Sequence, residues 1–80
     1  MEVEILAFGI TRDIVEGDSF KVSLEEGASV SVLKELLYKA YPKMKQLNSL
    51  RIAVDNEYVD EGVVLQGNEE IALIPPVSGG

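Results

Sequence analysis

The sequence predicts an α+β domain in which a mixed sheet of about five strands packs on one main helix. Three observations predict it. Short segments near both ends and in the middle alternate apolar and polar residues with a period of two. One stretch, residues 30–41, carries its apolar side chains three and four apart. The chain between the first and last alternating segments is long enough to supply the crossover that pairing those two strands in parallel requires. At 80 residues the chain has the length of one domain, read as 1–76 with a flexible tail at 77–80.

Val3 to Phe8 is the first strand, with Val3, Ile5 and Ala7 on one face and Glu4, Leu6 and Phe8 on the other. Gly9 breaks it. Ile10 to Glu16 has no clear period and accommodates one short helical turn, ended by Gly17-Asp18. Asp18 to Leu24 alternates again, with Phe20, Val22 and Leu24 inward, and closes a hairpin with the first strand. Glu25-Glu26-Gly27 is turn material. Ser29 suits a helix N-cap, because its hydroxyl can accept from a free amide of the first turn. Val30, Leu33, Leu36, Leu37, Ala40 and Tyr41 then form the apolar stripe of a helix, with Lys34, Glu35 and Lys39 on its wet side. Pro42 ends the helix, and Lys43 to Ser49 reads as a loop. Leu50 to Val54 reads as a central strand, Asp55-Asn56 as a turn and Glu57-Tyr58-Val59 as a short returning strand. Gly62 to Leu65 fits a turn or short bridge, Gly67-Asn68 a tight turn, and Glu70 to Ile74 the last strand, paired in parallel with the first.

Composition removes whole classes of chemistry. The chain has no Cys and no His, so it holds no thiolate nucleophile, no imidazole base and no zinc-thiolate site. The acidic loop pattern of an EF-hand is absent, and no metal is expected. A net charge of −7 makes nucleic acid a poor partner. No apolar run approaches the roughly 20 residues of a membrane span, and the first ten residues lack the features of a signal peptide. A cytoplasmic protein with no membrane association is the expectation. Residues 49–80 carry six acids against the single base Arg51, which either aids solubility or steers the chain toward a basic partner.

Two features point outward. Phe8 and Ile74 fall on the faces of their strands opposite the core residues, and Tyr58 lies on a short strand. Either they close the rim of the core, or they form an exposed apolar patch that meets a protein partner. The chain then reads Pro75-Pro76-Val77-Ser78-Gly79-Gly80. Two prolines end the sheet and stiffen the exit. Gly79 and Gly80 carry no side chains, so they can thread a channel too narrow for other residues, and the last four residues reach about 13 Å when extended. A terminal carboxylate on such a stalk is inert until activated. An ATP-dependent partner can convert it to an acyl-adenylate, which a sulfur donor or an amine can attack. No phosphate-binding loop is present in this sequence, so the ATP would be bound by that partner.

The chain length, the strand order and the Pro-Pro-Val-Ser-Gly-Gly ending resemble the small subunits of molybdopterin synthase, a family of β-grasp, ubiquitin-like sulfur carriers. The likeness spans the whole chain. It is strongest in residues 6–12 (Leu-Ala-Phe-Gly-Ile-Thr-Arg), 53–56 (Ala-Val-Asp-Asn), 67–71 (Gly-Asn-Glu-Glu-Ile) and the tail. The resemblance implies that an adenylating enzyme of the ubiquitin-activating type charges Gly80 and that a sulfur donor protein converts it to a thiocarboxylate. It implies that Gly79 and Gly80 enter the large synthase subunit to build the dithiolene of the pterin cofactor, two carriers on a dimer of large subunits. Phe8, Tyr58 and Ile74 match the family's apolar contact positions, and Pro75, Pro76, Val77 and Ser78 its partner-binding tail. The chain itself would bind no cofactor and act as a sulfur-donor subunit without an active site of its own. A Gly-Gly end alone also fits a carrier for thiazole synthesis or a related pathway, or a protein modifier conjugated through Gly80. A plain interaction module with an inert tail is the third reading.

Overall fold

The computed structural model describes residues 1–47 and 50–75. Its elements are β1 (Glu2–Ala7), α1 (Ile10–Val15), β2 (Ser19–Ser23), α2 (Val30–Ala40), a 3-10 turn (Pro42–Gln46), β3 (Arg51–Val54), β4 (Glu57–Tyr58) and β5 (Ile71–Ile74). The five strands form one sheet in the order β2-β1-β5-β3-β4. β1 and β5 pair in parallel with Leu6 opposite Ala72, and the other neighbours are antiparallel. β5 is therefore the central strand, and β3, read from its alternation as central, lies one place outward.

One face of the sheet is buried under α2. Val3 and Ile5 of β1, Ile52 of β3, and Ile71 and Leu73 of β5 meet Leu33 and Leu37 of the helix. Ser29 caps α2 as expected: its hydroxyl accepts from the Val32 amide at 3.4 Å. The next strap of chain completes that cap, since the carbonyls of Val63 and Glu61 accept from the amides of Val30 and Ser31. The weak segment around residues 62–65 is thus a bridge, pairing Ser29 with Val64, and it buries Leu65 in the core.

Three local readings are corrected by the packing. Pro42 to Gln46 forms a 3-10 turn where a loop was expected, and it drives Met44 to complete burial against the end of α2. The proline sits at the first position of that turn, where its missing amide costs nothing. Leu36 and Ala40 belong to the apolar stripe by spacing but are exposed, because the sheet covers only the narrower Val30, Leu33 and Leu37 line. Lys34, expected on the wet side, keeps only 17% of its side chain exposed and pairs with Glu61 at 3.4 Å. Its aliphatic stem covers apolar surface while the ammonium reaches the strap.

The turns follow their residues. Asp55 and Asn56 both have positive φ, 51° and 70°, the backbone of a two-residue hairpin turn matched to strand twist. Asp55 also fixes the entry to β5: its amide donates to the Glu70 carbonyl, and its carboxylate accepts from the Glu70 amide at 2.9 Å. Glu69 caps the turn before it, accepting from the amides of Gln66 and Gly67 at 2.7 and 2.8 Å. Partial burial would raise its pKa, but those two amides and the amides of Asn68 and Glu69 hold it below the usual carboxylate value.

Candidate partner-binding site

The second face of the sheet carries the candidate site. Along β1, Leu6 and then Phe8 project from this face. Along β5, Ala72 and Ile74 do so. Register places Leu6 beside Ala72, Ala72 beside Ala53 of β3, and Ala53 beside Tyr58 of β4. Two alanines thus form a floor between larger side chains. Leu6, Phe8, Ile74 and Tyr58 stand around it, with Asn56 and Glu70 at the far end, and they enclose a shallow groove of about 270 Å³. Phe8 and Tyr58 are 46% and 55% exposed, which rules out the reading in which they merely close the core. Two aromatics left half in water beside one groove form an exposed apolar patch, the kind of surface that marks interaction sites in proteins.

The end of β1 is built to hold Phe8 in place. Phe8 follows the last strand residue and precedes α1, so no ladder bonds its backbone. Thr11, fully buried, supplies them instead: its hydroxyl accepts from the Phe8 amide at 2.9 Å and donates to the Phe8 carbonyl at 2.5 Å. This is an ST-type local bond in which one hydroxyl satisfies both backbone groups. Gly9 follows at φ 56° and ψ −135°, a conformation open to glycine and strained for other residues. A Cβ there would lie 2.9 Å from Cγ of Pro75. The root of the tail therefore rests on the bare backbone of Gly9, directly beyond Phe8.

The structure brings together Phe8, Tyr58 and Ile74, as the alternation argument expects, and seats Pro75 beside them. Pro76, Val77, Ser78, Gly79 and Gly80 lie outside the described residues. Leu6, Ala53, Ala72 and Asn56 complete the groove and were not singled out from the sequence. Leu6 and Ala72 share the strand faces of Phe8 and Ile74, so the same alternation contains them. Thr11 had no such signal. Among the described residues no cluster of three His, Cys, Asp or Glu side chains could hold a metal ion, and no helix is long and apolar enough to cross a membrane.

A five-stranded mixed sheet grasping one main helix, α2, defines a ubiquitin-like β-grasp protein. A ubiquitin of Caldiarchaeum subterraneum superposes on it with a TM-score of 0.64 at 16% identity, covering 100% of this chain and 98% of that one. The particular family follows from the sequence: the chain belongs to the ThiS family, whose model matches residues 5–80. It is 33% identical over 84 residues to the molybdopterin synthase sulfur carrier subunit of Dictyostelium discoideum, covering 99% of this chain and 96% of that one. It is 34% identical over 83 residues to the sulfur carrier subunit of Homo sapiens, covering 99% and 94%. Among solved structures, a Pyrococcus furiosus protein assigned as molybdopterin converting factor subunit 1 matches with a TM-score of 0.87 at 27% identity, covering 96% of this chain and 99% of that one. A chain from the Helicobacter pylori complex of subunits 1 and 2 of molybdopterin-converting factor matches at 0.70 and 25%, covering all of both chains.

Proposed function

We infer that this chain is the sulfur carrier subunit of a molybdopterin synthase, working by docking rather than by an active site of its own. The observation that carries the reading is the adjacency of groove and tail root: exposed Phe8 and Tyr58 line one groove with half-buried Ile74, and Pro75 leaves the sheet beside them on Gly9. A partner seated in the groove receives the following residues at a fixed point. The large synthase subunit is that partner in the proposal, which the subunit 1 and 2 complex of Helicobacter pylori supports.

The chemistry assigned to Gly80 runs in three steps. A carboxylate oxygen attacks the α-phosphorus of ATP held by an adenylating partner and releases pyrophosphate. A sulfur donor delivering sulfur at the sulfide level displaces AMP and leaves a thiocarboxylate. In the large subunit that sulfur attacks a carbon of the pterin precursor and displaces an oxygen leaving group from it; water then cleaves the acyl–sulfur bond, leaving the sulfur on the pterin as a thiol and restoring the carboxylate. A dithiolene needs two sulfurs, and so two carriers or two charging cycles. ATP belongs to the adenylating partner throughout, and this chain contributes no cofactor site.

The test is an intact mass of the full chain after incubation with ATP, an adenylating enzyme and a sulfur donor. The expected result is a gain equal to one oxygen exchanged for sulfur, localised to Gly80. No gain, with the enzyme active on a control carrier, overturns the sulfur-carrier reading. Covalent attachment to lysines of other proteins instead would identify a modifier.

A further inference from the structure

Arg51 is the one base among residues 49–80, and its exposed position on β3, sharing a face with Ala53, puts it on the open face of the sheet. Its guanidinium lies 3.9 Å from the centroid of the Tyr58 ring, a groove wall. Its strand register pairs it with Ile74, the residue before the tail root. Stacking occupies one face of the guanidinium. Arg51 is exposed, so the donors on the edge of the fork stay open to solvent. Among the described residues no carboxylate is ion-paired with Arg51, although the chain has 14 acids. Arg51 also lines a cavity with Asp60, Glu61 and Lys34, where Glu61 is engaged by Lys34. A stacked, exposed and unpaired arginine beside an apolar floor combines the two residue chemistries enriched at interface hot spots.

We propose that Arg51 is a specificity-determining contact of this groove: the docking partner sets an Asp or Glu carboxylate against the Arg51 fork while an apolar side chain fills the alanine floor. Charge complementarity is the argument. The planar fork suits a bidentate carboxylate, and Tyr58 pre-orders it, so little side-chain freedom is lost on docking. The proposal rests on the sulfur-carrier reading, in which the partner is the large synthase subunit. It assigns that partner an acidic residue at the point facing Tyr58 and Ile74.

The test is titration calorimetry of the full chain against the large subunit at several salt concentrations. The proteins are the wild type, Arg51→Gln, Arg51→Lys and Arg51→Glu, with thermal unfolding of each. Arg51→Gln should weaken binding roughly tenfold and Arg51→Glu more, the scale of a hot-spot truncation. Arg51→Lys should recover part of the loss, because it keeps the charge without the fork. The salt dependence of Kd should flatten in Arg51→Gln, while Tm stays within a few degrees, as for an exposed cation–π pair. Wild-type affinity in Arg51→Gln overturns the proposal. So does a weakened Kd with unchanged salt dependence, which would make Arg51 a packing group for Tyr58. A wild-type chain that does not bind the large subunit overturns the carrier reading itself, and the role of Arg51 falls with it.

Discussion

Gly9→Ala probes the junction between groove and tail, and its effect follows from two separate features of the backbone. The first is conformational. Gly9 sits at φ 56° and ψ −135°, where a side chain is strained, at a cost of about 1–3 kcal/mol. The second is steric. The new Cβ would approach Cγ of Pro75 to 2.9 Å, closer than ordinary van der Waals contact. That atom belongs to a ring tied to the backbone, so it cannot swing aside without moving the tail root. In a domain of this size each kcal/mol is worth roughly 4–8 °C in Tm, and the variant should therefore melt about 5–20 °C below the wild type. A double-mutant cycle separates the two causes. Pro75→Ala removes Cγ, so Gly9→Ala in that background should keep the conformational cost and lose the steric one. The coupling should come out near 1 kcal/mol, since overpacking typically costs about 1–3 kcal/mol. The same variants, assayed for sulfur transfer to the large subunit at a temperature where all are folded, should show Gly9→Ala slower than the wild type. An unchanged Tm would refute the strained geometry of Gly9. Strict additivity in the cycle would refute the contact with Pro75.

Phe8→Asp places a charge in the groove without touching the core. Affinity for the large subunit should fall by at least tenfold, the scale of losing an interface anchor, while the unfolding midpoint in urea moves little; a collapsed fold would make Phe8 a core residue. Thr11→Val keeps shape but leaves the amide of Phe8 without its hydroxyl partner, while the Phe8 carbonyl keeps the Thr11 amide. It should cost about 1–3 kcal/mol by chemical denaturation, and wild-type stability would exclude the clamp. Glu69→Gln tests the carboxylate that caps the turn before β5. The folded pKa lies below the unfolded value, so the carboxylate stabilises the fold above about pH 4.3. That contribution fades as pH falls through the folded pKa. Wild type should exceed Glu69→Gln by about 1 kcal/mol at pH 7, and the gap should narrow in acid; a gap independent of pH would assign the effect to packing.

Local periodicity sufficed for much of this molecule. The strand faces of Val3–Ile5–Ala7 and Ile71–Leu73, the helix capped by Ser29 and the turn at Asp55-Asn56 are all set by near neighbours in the chain. Alternation, capping and turn chemistry act over a few residues, so they are written in the order of the residues themselves. The same alternation marked Phe8 and Ile74 as facing away from the core, and the motif of the tail pointed to its family. Packing decided the rest. Met44 is buried only because the end of α2 and the sheet leave a gap that a 3-10 turn can fill, and a segment rich in lysine gives no periodic hint of that. Leu36 is exposed because the sheet is narrower than the stripe the helix offers. Ala53 and Ala72 become a groove floor only when β5 is slotted between β1 and β3, a pairing between segments far apart in sequence. Thr11 and Gly9 look like ordinary residues of a connector, yet one locks the backbone of Phe8 and the other makes room for Pro75. Arg51 meets Tyr58 through the register of a two-residue strand. Each of these depends on contacts whose partners the chain reaches only after folding, which is why the sequence named the patch and the tertiary structure gave it its shape.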